Sequence, residues 1–390
     1  MVNQVSVNRF VVLCIIVTTI GFISCSQGEP EVDIPEEVAA LENVAVYSGD
    51  AEPLNEISFQ EEARFGDTET VFISRVSGVA VADDGTLFLA DRSEAIIHVY
   101  DGAGNYQRSL GRRGEGPGEF QNIIQPQLRN GMLYVYDLQQ LRMSVFDASD
   151  FTFQRAFAVG DKDGIDGRPN QMNLLSDDRI LALYSGSERE GNRLKLSEAA
   201  VILGDEGEVI STGFLSLNEN NRLLMESNGL FQIFSMPFLG QNLLDVTENN
   251  EIVTGFTDRF LLHYLSLEGD TLRSVYHDVT PPALDRSAIM NNVNSQPIRS
   301  EISSMDLPDT RQAFNSLTVD DESRLWLSSP TEDTDIYEWR VLSETGEKLA
   351  QFEQPSSSSL ELVKNGYAYF LETNEETGVT DVVKYRYELR

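Results

Sequence analysis

Between Gly78 and Phe120 the chain contains a complete four-stranded antiparallel unit. Val79 and Val81 alternate with small residues, as a half-buried strand requires. Asp83-Asp84-Gly85 follows, and Asp-Gly is a strong hairpin signal because both central residues tolerate positive φ. Leu87 to Leu89 gives a second strand, Ala90 to Ser93 a turn, and the β-branched and aromatic run Ile96–Tyr100 a third strand. Asp101 to Gly104 turns the chain again into a fourth strand, Tyr106 to Leu110. Gly111, Gly114, Gly116 and Gly118 then mark a connecting loop.

The unit recurs. Its first turn reappears as Asn130-Gly131, Asp177-Asp178, Asn249-Asn250, Asp320-Asp321 and Asn365-Gly366, at successive intervals of 46, 47, 72, 71 and 45 residues. An interval of about 45 suits one four-stranded module. The two long intervals imply a module plus about 25 inserted residues each. Second strands align behind each turn, from Leu133-Tyr134-Val135 to Tyr367-Ala368-Tyr369. The last module ends without a fourth strand, and Ile57 to Phe65 supplies a segment of that character. The N-terminal strand is therefore expected to close the set, hiding open sheet edges.

Gly-Val-Ala-Val, the Asp-Gly turn, Leu-Ala-Asp, Ile-His-Val-Tyr-Asp and the Gly-x-Gly-Pro-Gly-Glu-Phe ending together resemble an NHL-type repeat, one blade of a β-propeller. The resemblance extends over about residues 55–390, with motif quality in the first blade. It implies an all-β chain: a six-bladed β-propeller of four-stranded antiparallel blades, NHL/TolB-like, of a kind found in secreted and lipid-anchored proteins of Bacteroidetes-like bacteria.

Arg9 precedes an apolar run from Phe10 to Ile23, too short for a comfortable membrane span, and then Ser24-Cys25. This resembles a bacterial lipoprotein signal, which implies removal of residues 1–24 and a lipid on Cys25. An ordinary secretory leader or an uncleaved anchor is the alternative. The mature chain would hold no second cysteine, so an internal disulfide is excluded. Residues 25–55 carry six acidic side chains before Asn43, with Pro30 and Pro35 and no basic residue, and read as an acidic, disordered tether. The propeller would then span 56–390. The lipoprotein resemblance implies a cell-envelope location, lipid-anchored at the outer membrane and facing either the periplasm or the surface.

One of the 29 basic residues falls in the leader, leaving 28 against 63 acidic, a net charge of −35. That opposes nonspecific nucleic-acid binding and docking on anionic lipid.

In the propeller frame, the turns after second strands share a face with the connectors between blades. Arg92, Arg112, Arg113 and Arg142 fall there, with Asp91 and Asp137 at strand ends. The arginines are candidates for holding a carboxylate or phosphate ligand by paired hydrogen bonds, or for pairing with local carboxylates such as Glu115 and Glu119. Asp91 and Asp137 suit turn-holding, and alternatively calcium ligation. The Gly111–Gly118 loop lacks the Gly-Lys-Ser/Thr ending of a phosphate cradle and reads as a connector. His98, His263 and His277 have no metal-ligand spacing, and no Gly-x-Ser-x-Gly elbow occurs. Trp326 and Trp339 read as packing between blades.

No catalytic set and no required cofactor emerges. The expected function is a binding or scaffold module for an envelope protein or small ligand. The alternative is a metal-dependent hydrolase resembling gluconolactonases, with Asp91, Asp137 and Glu372 as oxygen donors. The insertions, near 214–242 and 280–312, are the most individual segments; Ala283 to Val293 is expected to hold a short helix.

Overall fold

In the computed structural model, described for residues 32 and 34–390 apart from 69–70, 191–192, 219, 228–229, 235, 237, 294 and 375, six antiparallel sheets form a ring. The leader, Cys25 and the first part of the expected tether lie outside the described residues. Among the described residues no helix is long and apolar enough to cross a membrane.

Blade one comprises Val76–Val81, Leu87–Asp91, Ile96–Tyr100 and Tyr106–Leu110. Its second strand shows why the ring forms. Leu87 and Leu89 face the joint with blade six, while Phe88 and Ala90 face the joint with blade two, and all four are fully buried. Alternation thus serves two apolar faces at once, so the strand is apolar throughout. The same logic yields one hydrophobic cluster in each of the six joints. Burial of each large apolar side chain contributes about 1.5–3 kcal/mol.

Blade two runs from Ile123 to Ala158, blade three from Arg168 to Ser216, blade four from Asn242 to Asp278, blade five from Ser316 to Pro355, and blade six from Ser358 to Leu389. Blade six lacks a fourth strand of its own. Ile57–Phe65 completes it, antiparallel to Thr380–Leu389 with Ile57 opposite Leu389. The ring is closed by the N-terminal strand, as its sequence character implied.

The expectation of a disordered tether reaching residue 55 is corrected. Glu36–Ala39 is helical, and Val38 is fully buried. Val44–Ser48 adds a fifth strand to blade four, parallel to Thr271–Asp278. Its apolar residues Val44, Ala45, Val46 and Tyr47 give it a face to bury, and Tyr47 stacks on His277 at 5.1 Å. The acidic composition of the preceding residues hid this short β-forming run. Leu54 and Asn55 then donate to the carbonyls of Lys348 and Leu349 on blade five.

The insertions have different characters. The first contains the hairpin Asn220–Ser227 and Leu230–Phe234, which extends blade three by pairing with Arg193–Leu196. The second contains two helices, Arg286–Asn292 and Gln296–Ser304. The first helix is shorter than the expected Ala283–Val293. It starts after Asp285, whose carboxylate caps the amides of Ser287 and Ala288, rather than at Pro281-Pro282. The second helix, with Pro297 in its first turn, has no counterpart in the sequence reading.

First strands line the axis and are linked by side-chain amides. Gln127 accepts from the Leu174 amide at 2.8 Å and donates to the Met172 carbonyl. Gln171 donates to the Leu244 carbonyl at 2.8 Å. Asp245 and Glu361 also lie here, and burial raises the pKa of both, that of Asp245 to about 6.

Candidate functional site

The four arginines expected on the connector face do gather there, around the link between blades one and two. Each of them donates at least one hydrogen bond into that link, and Arg142 Nε stays without a partner. Arg92 donates to Asn122 Oδ1 at 2.6 Å, and Arg112 pairs with Glu119. Arg113 donates to the carbonyls of Ser93 and Gln121. Arg142 donates to the carbonyls of Glu115, Gly116 and Glu119 at 3.1, 3.1 and 2.7 Å. Backbone carbonyls thus take most of the role that the sequence reading gave to carboxylates. The Gly111–Gly118 segment is an inter-blade connector, fastened by these side chains.

Asp91 and Asp137 are fully buried. Asp91 accepts the amides of Ser74, Ser93 and Glu94. Asp137 accepts those of Gln121, Asn122, Gln139 and Gln140. Each carboxylate ties the entry of its blade to the turn after the second strand. Glu372, at the matching position of blade six, holds Arg64 and accepts from the Tyr385 hydroxyl at 2.6 Å. The three carboxylates stay on three different blades. Among the described residues no group of three or more His, Cys, Asp or Glu side chains has the geometry to hold a metal ion.

The face opens instead over blade four, whose strands are Asn242–Val246, Ile252–Phe256, Leu261–Leu265 and Thr271–Asp278. Thr257, in the turn after the second strand, fastens that turn to both enlarged connectors. Its amide donates to the Gln241 carbonyl at 3.0 Å, and its carbonyl accepts from the Ala313 amide at 2.8 Å. The Gln241 amide donates to Thr257 Oγ1 at 3.0 Å. Gln312 adds a 3.0 Å bond to the Leu239 carbonyl, joining the ends of the two insertions directly. A separate apolar cluster lies under them, with Met236 and Phe238 from the first and Ile302 and Leu307 from the second.

Two cavities flank this turn. One, of about 340 Å³, is walled by Phe238, Phe256, Leu307 and Pro308, with Asp258, Asp306 and Arg311 also lining it. The other, of about 320 Å³, is lined by Asn218, Asn242, Thr254, Arg259 and His263. Phe256 and Asp258 border both. Gly240 allows Phe256 its position, because a Cβ there would lie 2.3 Å from the ring.

Burial raises the Asp258 carboxyl above the ordinary range, opposed by neighbouring Arg259. His263 is held below its usual basicity by burial, and its Nδ1 lies 2.9 Å from Ser274 Oγ. Glu37 closes one edge of the second cavity through an ion pair with Arg259. Sequence reasoning singled out neither Phe256 nor the Asp258-Arg259 turn. The long turn-to-turn intervals on either side of blade four were the available signal.

A family model described as a 6-bladed beta-propeller, DUF5128, matches residues 67–230. No curated protein matches the chain. Among solved structures, a Bacteroides fragilis protein named only as an inferred exported protein is 10% identical, with a TM-score of 0.51 over 89% of this chain and 99% of that one. A DUF4221 member from Bacteroides vulgatus is 10% identical, with a TM-score of 0.49 over 86% and 99%. A PQQ-bound aldose sugar dehydrogenase from Streptomyces coelicolor is 12% identical, with a TM-score of 0.45 over 86% and 100%. The first likeness bears on the fold alone.

Proposed function

We propose that this chain is an exported, lipid-anchored envelope protein, NHL/TolB-like in its blades, whose propeller is a rigid binding module rather than a catalyst. The ligand or partner engages the face over blade four. One observation carries this reading: both insertions converge on the Phe256–Arg259 turn and wall two adjoining cavities there. A closed ring with displayed, well-packed connectors is suited to presenting such a surface without internal motion.

The anchor in this reading is lipid on Cys25, in the outer membrane of a Bacteroidetes-like cell. The leader pattern and the lone mature cysteine support it. The partner is an envelope protein or a small ligand, and nucleic acid is opposed by the charge.

The two halves are tested separately. Cys25→Ser should abolish incorporation of labelled palmitate and move the protein out of the membrane fraction; unchanged labelling defeats the anchor. Phe256→Ser should abolish co-purification of a partner from detergent-solubilised envelopes while the melting transition persists. Undiminished recovery of that partner would remove the blade-four face from the reading.

A further inference from the structure

The cavity between the two insertions has a definite chemical character. One part of its wall is apolar: Phe238 and Leu307 belong to the cluster beneath the insertions, and Phe256 and Pro308 extend that surface, while polar side chains make up the rest of the lining. At about 340 Å³ it falls at the lower end of small-ligand sites.

The polar groups around it divide by sign. Two of the donors help to hold the connectors together. Arg311 Nη1 donates to the Thr331 carbonyl at 2.8 Å, and the Gln312 amide is given to Leu239. The carboxylates are compensated less closely: Arg259 opposes the burial of Asp258 from the next position. Among the described residues the ion pairs of this region are Arg259 with Glu37 and Arg286 with Asp309, and Asp258 and Asp306 enter neither. Counting Arg311, the lining carries a formal charge of −1. The chain as a whole carries −34, a field that concentrates cations at its surface.

We propose that this cavity binds an organic monocation with a compact apolar body, its charged end between Asp258 and Asp306 and its body against Phe256 and Phe238. The ligand is either a free amine or a basic side chain on a peptide. An apolar wall with a carboxylate at its edge suits such a molecule twice over. The body leaves water as its apolar surface is buried, and the charge gains hydrogen-bonded carboxylate oxygens. Phe256 adds a ring face on which a cation can rest. This assignment rests on the reading of the blade-four face as the binding surface.

The test uses calorimetric titration of the full mature chain with benzylamine and with an end-blocked Gly-Lys-Gly peptide. Benzyl alcohol and benzoate are the neutral and anionic controls. At least one cation should bind ten or more times tighter than both controls, and the tighter of the two identifies the source. The double variant Asp258→Asn, Asp306→Asn should weaken that binding at least tenfold. Asp309→Asn, outside the cavity lining, should leave it unchanged, and thermal melts should show that both variants fold. Equal binding of benzoate, binding of neither cation, or full affinity in the double variant would each overturn the assignment. If the partner is still lost in Phe256→Ser while no cation binds, the binding face stands and this ligand class falls.

Discussion

Asp245 accepts the backbone amide of Val319 at 2.8 Å, from the first strand of blade four to the first strand of blade five. The same carboxylate takes Asn173 Nδ2 of blade three at 3.1 Å and its neighbour's amide, Val246 N, at 2.8 Å. One side chain therefore joins three blades at the axis. Asp245→Ala strips three donors of their acceptor, and each buried unsatisfied group costs about 1–3 kcal/mol. A total loss of about 2–4 kcal/mol is expected, allowing for partial rescue by water. Urea titration at neutral pH measures it, and a loss within error of zero would refute the three-blade role.

Asp245 and His277 should pull the pH dependence of stability in opposite directions. Burial raises Asp245 from 3.8 to about 6, so its contribution is full below about 3.8 and is lost as pH rises to about 6. Burial lowers His277 from 6.5 to about 4, so its contribution is full above about 6.5 and is lost as pH falls to about 4. Over pH 4–6 the two slopes oppose. Stability of Asp245→Asn relative to the parent should therefore rise with pH across that window, and that of His277→Phe should fall. Denaturant melts at half-unit pH steps give both difference curves; equal signs would contradict the assignment.

Gly104 sits in the last turn of blade one at φ +91°, and a Cβ there would lie 2.4 Å from the carbonyl oxygen of Arg64 on the closing strand. Gly131 has φ +74° and nothing within 4 Å of the same added atom. Both alanine variants carry the backbone penalty of about 1 kcal/mol. Gly104→Ala should cost about 1–3 kcal/mol more, because backbone must move at the ring closure. Comparable melting temperatures for the two variants would show that the closing strand yields freely.

Trp326 is fully buried at the joint of blades five and six, 5.1 Å from the Tyr387 ring, with Nε1 donating to Asp320 Oδ2 at 3.0 Å. Trp326→Ala should cost about 3–5 kcal/mol, the range for removing a large buried aromatic. Trp326→Phe keeps most of the packing and should cost about 1–2 kcal/mol, since Asp320 retains Arg324 at 2.7 Å. Guanidinium titrations rank them, and a phenylalanine variant as damaged as alanine would make the hydrogen bond, not packing, dominant.

The ring was legible from Asp84-Gly85 and its recurrences because turn chemistry and two-sided strand burial are local properties. The closing strand was legible because blade six visibly lacked a partner. The docked segment Val44–Ser48 was not, since five residues inside an acidic stretch carry little pattern and its pairing partner is over 200 positions away. The blade-four cavities were missed for a related reason. Arginine-rich connectors at Arg92 to Arg142 look like ligand donors until the carbonyls they hold are placed. Phe256 and Asp258 look ordinary until two insertions, near 214–242 and 280–312, converge beside them.

The docked N-terminal segment also decides what a pull on the chain would meet first. Tension arriving from residues before Ile34 must break the Glu37–Arg259 pair and extract Val38 before it reaches the five-residue register with Thr271–Asp278. Only after those give way does load pass to Ile57–Phe65, the strand on which closure depends. The segment is a strain relief, like the clamp on a cable: a tug from the N-terminal side is absorbed at the rim of blade four, and the seal of the ring stays unloaded.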